Sequence, residues 1–292
     1  MPIFPRSRPL VHLIVCALLV LLAPTAAFAQ AGQDPALSIV LIDPKVFRVC
    51  ADPHNLPFSS ENGAGFENKI AELFAAKLDK SLAYAWFPQV VGFIRNTLNA
   101  HKCDVVMGFP QGGELAQSTN PYYRTAYALM FKPGSGLDGV ATIGDPRLKD
   151  KRIGVVAGTP PATYLAVNGM MAKAKGYPLV IDTRVDSSAA AMVKDLQSGE
   201  IEAGLLWGPM AGYYALQSKT DITVVPLVKE PSGPRLIYRI TMGVRAADQE
   251  WKRQLNRMIQ EHQGEINKVL LSFGVPLLDE EDRPISAQQP GK

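Results

Sequence analysis

Apolar and polar positions along the chain fall into short blocks of two alternating kinds. Residues 46–51 (VFRVCA), 82–87, 104–108 (DVVMG) and 126–131 are brief apolar runs of β type. Between the first two, Phe66, Ile70, Leu73, Phe74 and Leu78 recur every three to four residues, which predicts a helix over 66–80. A shorter helix is predicted over 93–100. The turn-forming run KPGSG (132–136) breaks the pattern, and the alternation then restarts. Strands are predicted at 152–157, 179–182, 203–207 and 222–227. Helices are predicted from Pro160, well suited to a first helical position, to 171, and over 187–196 and 210–217. A second break, EPSGP (230–234), precedes a long strand at 236–244. Two amphipathic helices follow: Trp251, Leu255, Met258, Ile259 and His262 share one face, which Ile266, Val269, Leu270 and Phe273 continue.

Repeated β-α-β units predict an α/β protein with parallel sheets and right-handed crossovers. The two breaks cut the chain into three parts. The simplest arrangement makes residues 30–131 and 235–283 one discontinuous lobe and residues 132–234 the second, with 284–292 a loose tail. Two strands of chain then join the lobes, and a cleft lies between them. Ligands of open α/β sheets sit at the carboxyl ends of strands, and hinge closure is the motion such a shape allows.

Residues 1–29 read as a signal peptide. Arg6 and Arg8 precede an apolar run from Leu10 to Ala23, interrupted only by His12, and Ala27-Phe28-Ala29 supplies small residues at a cleavage site. The run falls short of the roughly 20 residues a membrane span needs, so export is expected without stable membrane insertion. Of 292 residues, 47% are apolar and 20% charged, with a net charge of +3. That composition excludes a disordered chain and argues against a nucleic-acid binder. Cleavage leaves two cysteines, Cys50 and Cys103, in an oxidising compartment. They either form a disulfide, the favoured reading, or remain two buried thiols.

Catalytic signatures are scarce: there is no GxSxG, Walker loop or HExxH. His262 lies on an apolar helix face and reads as a packing residue, His101 as a helix cap, and His54 as a loop histidine near the cleft. Glu280, Glu281 and Asp282 read as a solvated terminal cluster rather than a metal site, and neither metal nor cofactor is expected. The cleft candidates are polar and aromatic: Asp52, Asn55, Phe58, Phe93, Arg95, Tyr122, Tyr123 and Arg124 from the first lobe, and Thr159, Pro160, Trp207 and Tyr213 from the second. Gly158-Thr159 opens a helix and can present backbone N–H groups to an anion.

The run RVCADPHNLPFS (48–59) with GFENKIAELFA (65–75) resembles the opening of type II periplasmic solute-binding proteins. KCDVVMG (102–108), STNPY (118–122) and KDKRIGVVAGTP (149–160) continue the likeness over essentially the whole mature chain. GFIRNTLNAHKCDVVMG (92–108), NPYYRTAY (120–127) and LQSGEIEAGLLWGPMAGYY (196–214) are similar to a narrower group, the quinoprotein-dehydrogenase-associated J-type accessory proteins of periplasmic methanol dehydrogenases.

The resemblance implies a type II periplasmic binding fold: two α/β lobes, a two-stranded hinge and an interlobe cleft. It implies a non-catalytic, monomeric periplasmic protein that helps mature or activate a pyrroloquinoline-quinone (PQQ) methanol dehydrogenase, with that enzyme and its c-type cytochrome as partners. The lanthanide branch is preferred over the calcium one. Two departures set this chain apart from amino-acid binders of the fold. The segment Pro110-Gln111-Gly112-Gly113-Glu114-Leu115 lacks their carboxylate-clamping Arg, although Arg95 or Arg124 can stand in for it. The strand that should end before an ammonium-binding Asp ends in Trp207. The alternatives are a solute receptor for an ABC transporter and a dehydratase-type enzyme on the same fold.

Overall fold

The computed structural model describes residues 41–285. The signal peptide predicted at 1–29 and most of the tail predicted at 284–292 lie outside the described residues. Strand β1 (Val46–Ala51) is followed by a two-residue hairpin of β2 (His54–Asn55) and β3 (Ser59–Ser60), then helix α1 (Phe66–Lys77) and strand β4 (Ser81–Trp86). A one-turn helix α2 (Phe93–Asn96), β5 (Val105–Pro110), β6 (Gln117–Ser118) and the long β7 (Tyr123–Phe131) complete the first stretch. Next come β8 (Ile153–Val156), α3 (Pro160–Val167), β9 (Lys175–Tyr177), α4 (Ser188–Ser198), β10 (Ala203–Trp207), α5 (Gly208–Leu216) and β11 (Thr223–Pro226). Strand β12 (Ile237–Val244) leads into α6 (Gln249–Ser272).

The strands run in the order β4-β1-β5-β12-β7-β10-β8-β9, with β11 also on β7 and β6 on β12. The pairs β1/β4, β1/β5, β10/β8 and β8/β9 are parallel, as the β-α-β reading requires. Strand β7 joins the two halves. Its residues 123–126 pair with β12, while residues 127–131 pair with β10. The change falls at Tyr127, whose N–H donates to Leu236 and whose carbonyl accepts from the N–H of Leu227. The apolar clusters divide at the same place: Phe47, Phe66, Phe74 and Trp251 belong to one, Leu129, Phe131, Ile153 and Leu165 to another. This is the type II binding-protein architecture.

Three local readings need correction. Residues 179–182 are not a strand. Strand β9 ends at Tyr177, and Pro178 has no N–H to extend the ladder. Leu179 and Val180 are then 59% and 71% exposed. Helix α3 ends at Val167 rather than 171, with Gly169 at φ +69° just beyond. The two terminal helices form one element, kinked at His262, where φ is −116° and ψ 17°. The His262 side chain is mostly covered, with Nδ1 3.4 Å from Glu265 Oε1. His101 sits at φ +53° and donates its N–H to the Leu98 carbonyl, closing the turn after α2.

Cys50 and Cys103 are joined as a disulfide between β1 and the turn before β5, with Cα atoms 5.4 Å apart, inside the usual range. Beneath it lies a buried ionic network. Arg245, just after β12, places Nη2 2.7 Å from both Asp104 and Asp248, while the Trp251 indole donates to the Asp104 carbonyl.

Candidate functional site: an apolar interlobe cleft

A cleft of about 600 Å³ opens between the two halves of the sheet. It is built at the carboxyl ends of the parallel strands: Asp52 follows β1, Gly108 and Pro110 close β5, Val156 ends β8, and Leu205, Leu206 and Trp207 end β10. The strand β7 crosses its floor. Alternation along β7 turns Tyr123 and Tyr127 to the cleft, and along β12 it turns Tyr238 and Ile240 there.

Tyr127, Trp207 and Tyr238 form the floor. Their ring centroids are 5.1, 5.6 and 6.3 Å apart, each pair edge to face. Burial, with Tyr238 alongside, pushes the Tyr127 hydroxyl up to about 12. The Arg235 guanidinium covers the Tyr238 ring at 5.0 Å without lining the cleft itself.

Asp52 is the one charged side chain among the described lining residues, and it is used internally. Its Oδ1 accepts the His54 N–H at 2.8 Å and its Oδ2 the Gln89 N–H at 2.7 Å. The Asn55 amide donates to Gln89 at 2.7 Å. These bonds set the 87–91 loop, which carries Val90 and Val91 to the rim, the latter 95% exposed. Leu179 and Val180 form the opposing rim.

Of the residues predicted for the cleft, Asp52, Asn55, Phe58, Tyr123, Thr159 and Trp207 line it. Six others are elsewhere. Phe93 is core, packed with Ile94, Leu98 and Phe109. Arg95 is exposed on α2, with its guanidinium over Gly92. Tyr122 is buried, and its hydroxyl accepts the Gly108 N–H at 3.2 Å. Arg124 points to the other face and pairs with Glu280 and Asp282. Pro160 begins α3 without lining the cleft, and Tyr213 stacks on Phe273 at 6.1 Å. So neither Arg95 nor Arg124 replaces the missing carboxylate clamp. The expected N–H cradle at Gly158-Thr159 is also absent. Pro160 and Pro161 have no N–H, and Thr159 Oγ1 donates back to Val156 at 2.6 Å.

Two features escaped the sequence. Tyr127 and Tyr238 were missed, though period-two alternation from Tyr123 points to Tyr127. Glu67, the second residue of α1, was missed altogether. Its carboxyl group fills the space beside Gly108: a Cβ there would lie 2.4 Å from Glu67 Oε1. It is about 9% exposed, with no side-chain hydrogen bond to another described residue, and burial pushes its carboxyl up to about 8.

A second, more polar recess of about 570 Å³ adjoins the cleft through Asn55, Ile181, Thr183 and Met210, and includes His54, Glu61 and Asp186. Among the described residues no three His, Cys, Asp or Glu stand together as a metal site, and no helix is long and apolar enough to cross a membrane.

The model of the family "Bacterial extracellular solute-binding protein" matches residues 109–266. The chain belongs to that family. The crystal structure of the periplasmic binding protein XoxJ from Methylobacterium extorquens AM1 is 40% identical, with a TM-score of 0.69, covering 80% of this chain and all of that one. The structure of MxaJ from Methlophaga aminisulfidivorans MPT is 25% identical, with a TM-score of 0.71 over the same shares. Protein MoxJ of Methylorubrum extorquens is 28% identical over 278 residues, 90% of this chain and 91% of its own. Within the family, this is a MoxJ-type periplasmic binding protein.

Proposed function

We propose that this protein acts in the periplasm as the accessory partner of a PQQ-dependent methanol dehydrogenase, of the lanthanide type. In this reading it is non-catalytic and helps the dehydrogenase mature or become active, with the enzyme's c-type cytochrome as a neighbour. The cleft is its working surface, between the lobes proposed at residues 30–131 with 235–283 and at 132–234.

The observation that carries this reading is the character of the cleft. A free amino acid brings a carboxylate and an ammonium, and both need charged partners once desolvated. The lining offers one carboxylate, already engaged by two backbone N–H groups, and no Lys or Arg among its described residues. It offers instead three packed aromatic rings below and exposed valines and leucine on both rims. Such a surface suits an apolar segment of a partly folded protein, with aromatic anchors at its centre.

The test is binding of the mature protein to purified dehydrogenase, without and with its quinone and metal. We expect a complex with the unloaded enzyme that weakens at least tenfold in Trp207→Ala, the loss of about 1.4 kcal/mol. No complex with either form overturns the reading. A thermal shift with a small solute, worth about 2.7 kcal/mol at a hundredfold excess over Kd, supports the transport receptor instead.

A further inference from the structure

The chain leaving α6 runs across the hinge and fastens to both sides of it. At its start, Phe273 stacks on Tyr213 of α5 with planes 19° apart. Gly274 lies against the backbone of Gly212, and Pro276 against Gly208. Helix α5 follows β10, beyond the point where β7 changes partner. Further on, the Pro276 carbonyl accepts from Thr125 Oγ1 at 2.8 Å, and the Leu278 N–H donates to the Arg124 carbonyl at 2.9 Å. Thr125 and Arg124 lie on β7 ahead of that point.

The far end is ionic. Arg124 of β7 and Arg239 of β12 are direct cross-strand neighbours, an arrangement that is repulsive by itself. Glu280 joins them. One of its carboxylate oxygens is 2.8 Å from Arg239 Nη2 and 3.8 Å from Arg124 Nη1, and its carbonyl accepts from Arg124 Nη1 at 3.3 Å. Asp282 pairs with Nη2 of Arg124. A tight turn presents both acids: the Asp279 carboxylate accepts from the N–H groups of Glu281 and Arg283.

We propose that residues 273–283 are a strap across the hinge, and that Glu280 and Asp282 are its releasable fastening, through which ionic strength sets how far the cleft opens. The two ends differ in kind. Backbone packing at Gly208 and Gly212 is indifferent to salt. The pair at Glu280, whose side chain is 74% exposed, is not. With the acids in place, the arginines hold β7 and β12 together on the face opposite the cleft. With the pairs screened, the strap loses its hold on β7 and β12 just before Tyr127, where β7 changes partner.

The inference rests on the reading that the cleft works by hinge closure, and its test involves no dehydrogenase, so the two can fail separately. Spin labels at Val91→Cys and Val180→Cys, on opposite rims, report the opening in the otherwise intact protein. At about 0.05 M salt we expect a narrow distance distribution that broadens at about 1 M, where the screening length falls to about 3 Å. Glu280→Gln/Asp282→Asn should show the broad distribution at both. Hydrogen exchange at the Leu227 and Tyr127 amides should quicken roughly threefold in step, the scale of an exposed ion pair. Identical distances and exchange in both proteins at both salts overturn the proposal. So does a salt response that survives in the double variant.

Discussion

The backbones of Gly212 and Gly274 touch: a Cβ on Gly212 would lie 1.7 Å from the Gly274 carbonyl oxygen. Four residues earlier, a Cβ on Gly208 would lie 2.2 Å from the Ala126 carbonyl. The block GPMAGYY therefore presents a glycine face to main chain, which cannot move aside as a side chain can. Gly212→Ala should cost more than the roughly 1–3 kcal/mol of ordinary overpacking and lower Tm by several degrees. Gly264→Ala is the contrast. It lies within α6 with open space around its missing Cβ, and should add about 0.5–1 kcal/mol. Thermal unfolding of the two variants reads both effects. Equal shifts would show that the Gly212 contact is not a constraint.

The alternation of strand and helix was legible because each element buries one face, and burial selects residue types at the element's own period. Strands β1 and β10 begin and end where the apolar runs do. The run Leu179-Val180-Ile181 misled because exposed apolar residues at a rim look like a buried strand, and only Pro178 argues otherwise. Half of the cleft candidates were found by their place after a strand. The rest failed on depth or direction: Phe93 and Tyr122 are buried in the core, while Arg124 neighbours Tyr123 in sequence but points to the opposite face of the sheet. Glu67 left no signal, because its environment is assembled from β5 and β7, far away in sequence.

Glu67 should give the stability curve a definite slope. Its carboxyl is held at about 8, against an ordinary 4.5. Between those values the folded chain keeps the proton and the unfolded chain releases it. Stability therefore falls as pH rises through this window, by up to about 1.4 kcal/mol per pH unit. Tyr84, Tyr122 and Tyr123 beside it are themselves pushed upward and stay neutral throughout. Glu67→Gln keeps the shape and removes the titration. Urea unfolding from pH 5 to 8.5 should show the variant gaining on the wild type with rising pH. Parallel curves would mean that Glu67 titrates normally.

The Arg245 network predicts a large loss for a single change. Arg245 is about 6% exposed, and Asp104 and Asp248 about 1% or less. Its Nη1 also donates to the Leu98 carbonyl at 3.4 Å, tying the turn before β5 to the end of β12. Arg245→Met fills the volume but strands two buried carboxylates, which should cost about 3–5 kcal/mol. The urea midpoint should fall while the slope of the transition stays unchanged. A loss below about 1 kcal/mol would mean that water takes the place of the guanidinium.

The Cys50–Cys103 bridge acts on the cleft as well as on stability. It closes a loop with a sequence separation of 53, worth about 4 kcal/mol in the chain-entropy model. Cys50 lies two residues before Asp52, which fixes the Val90–Val91 rim, and Cys103 two before β5, whose end holds Gly108. Both cysteines are almost fully buried, so reductant should act only after local opening. Reduction of the folded protein should then be slow, and should quicken in step with unfolding as urea is added. Cys50→Ala/Cys103→Ala should unfold at least about 2 kcal/mol more easily, with faster hydrogen exchange at the Gln89 amide that Asp52 holds. Free thiols in the untreated, exported protein would show that the bridge does not form. Unchanged exchange at Gln89 would confine the bridge's effect to the unfolded chain.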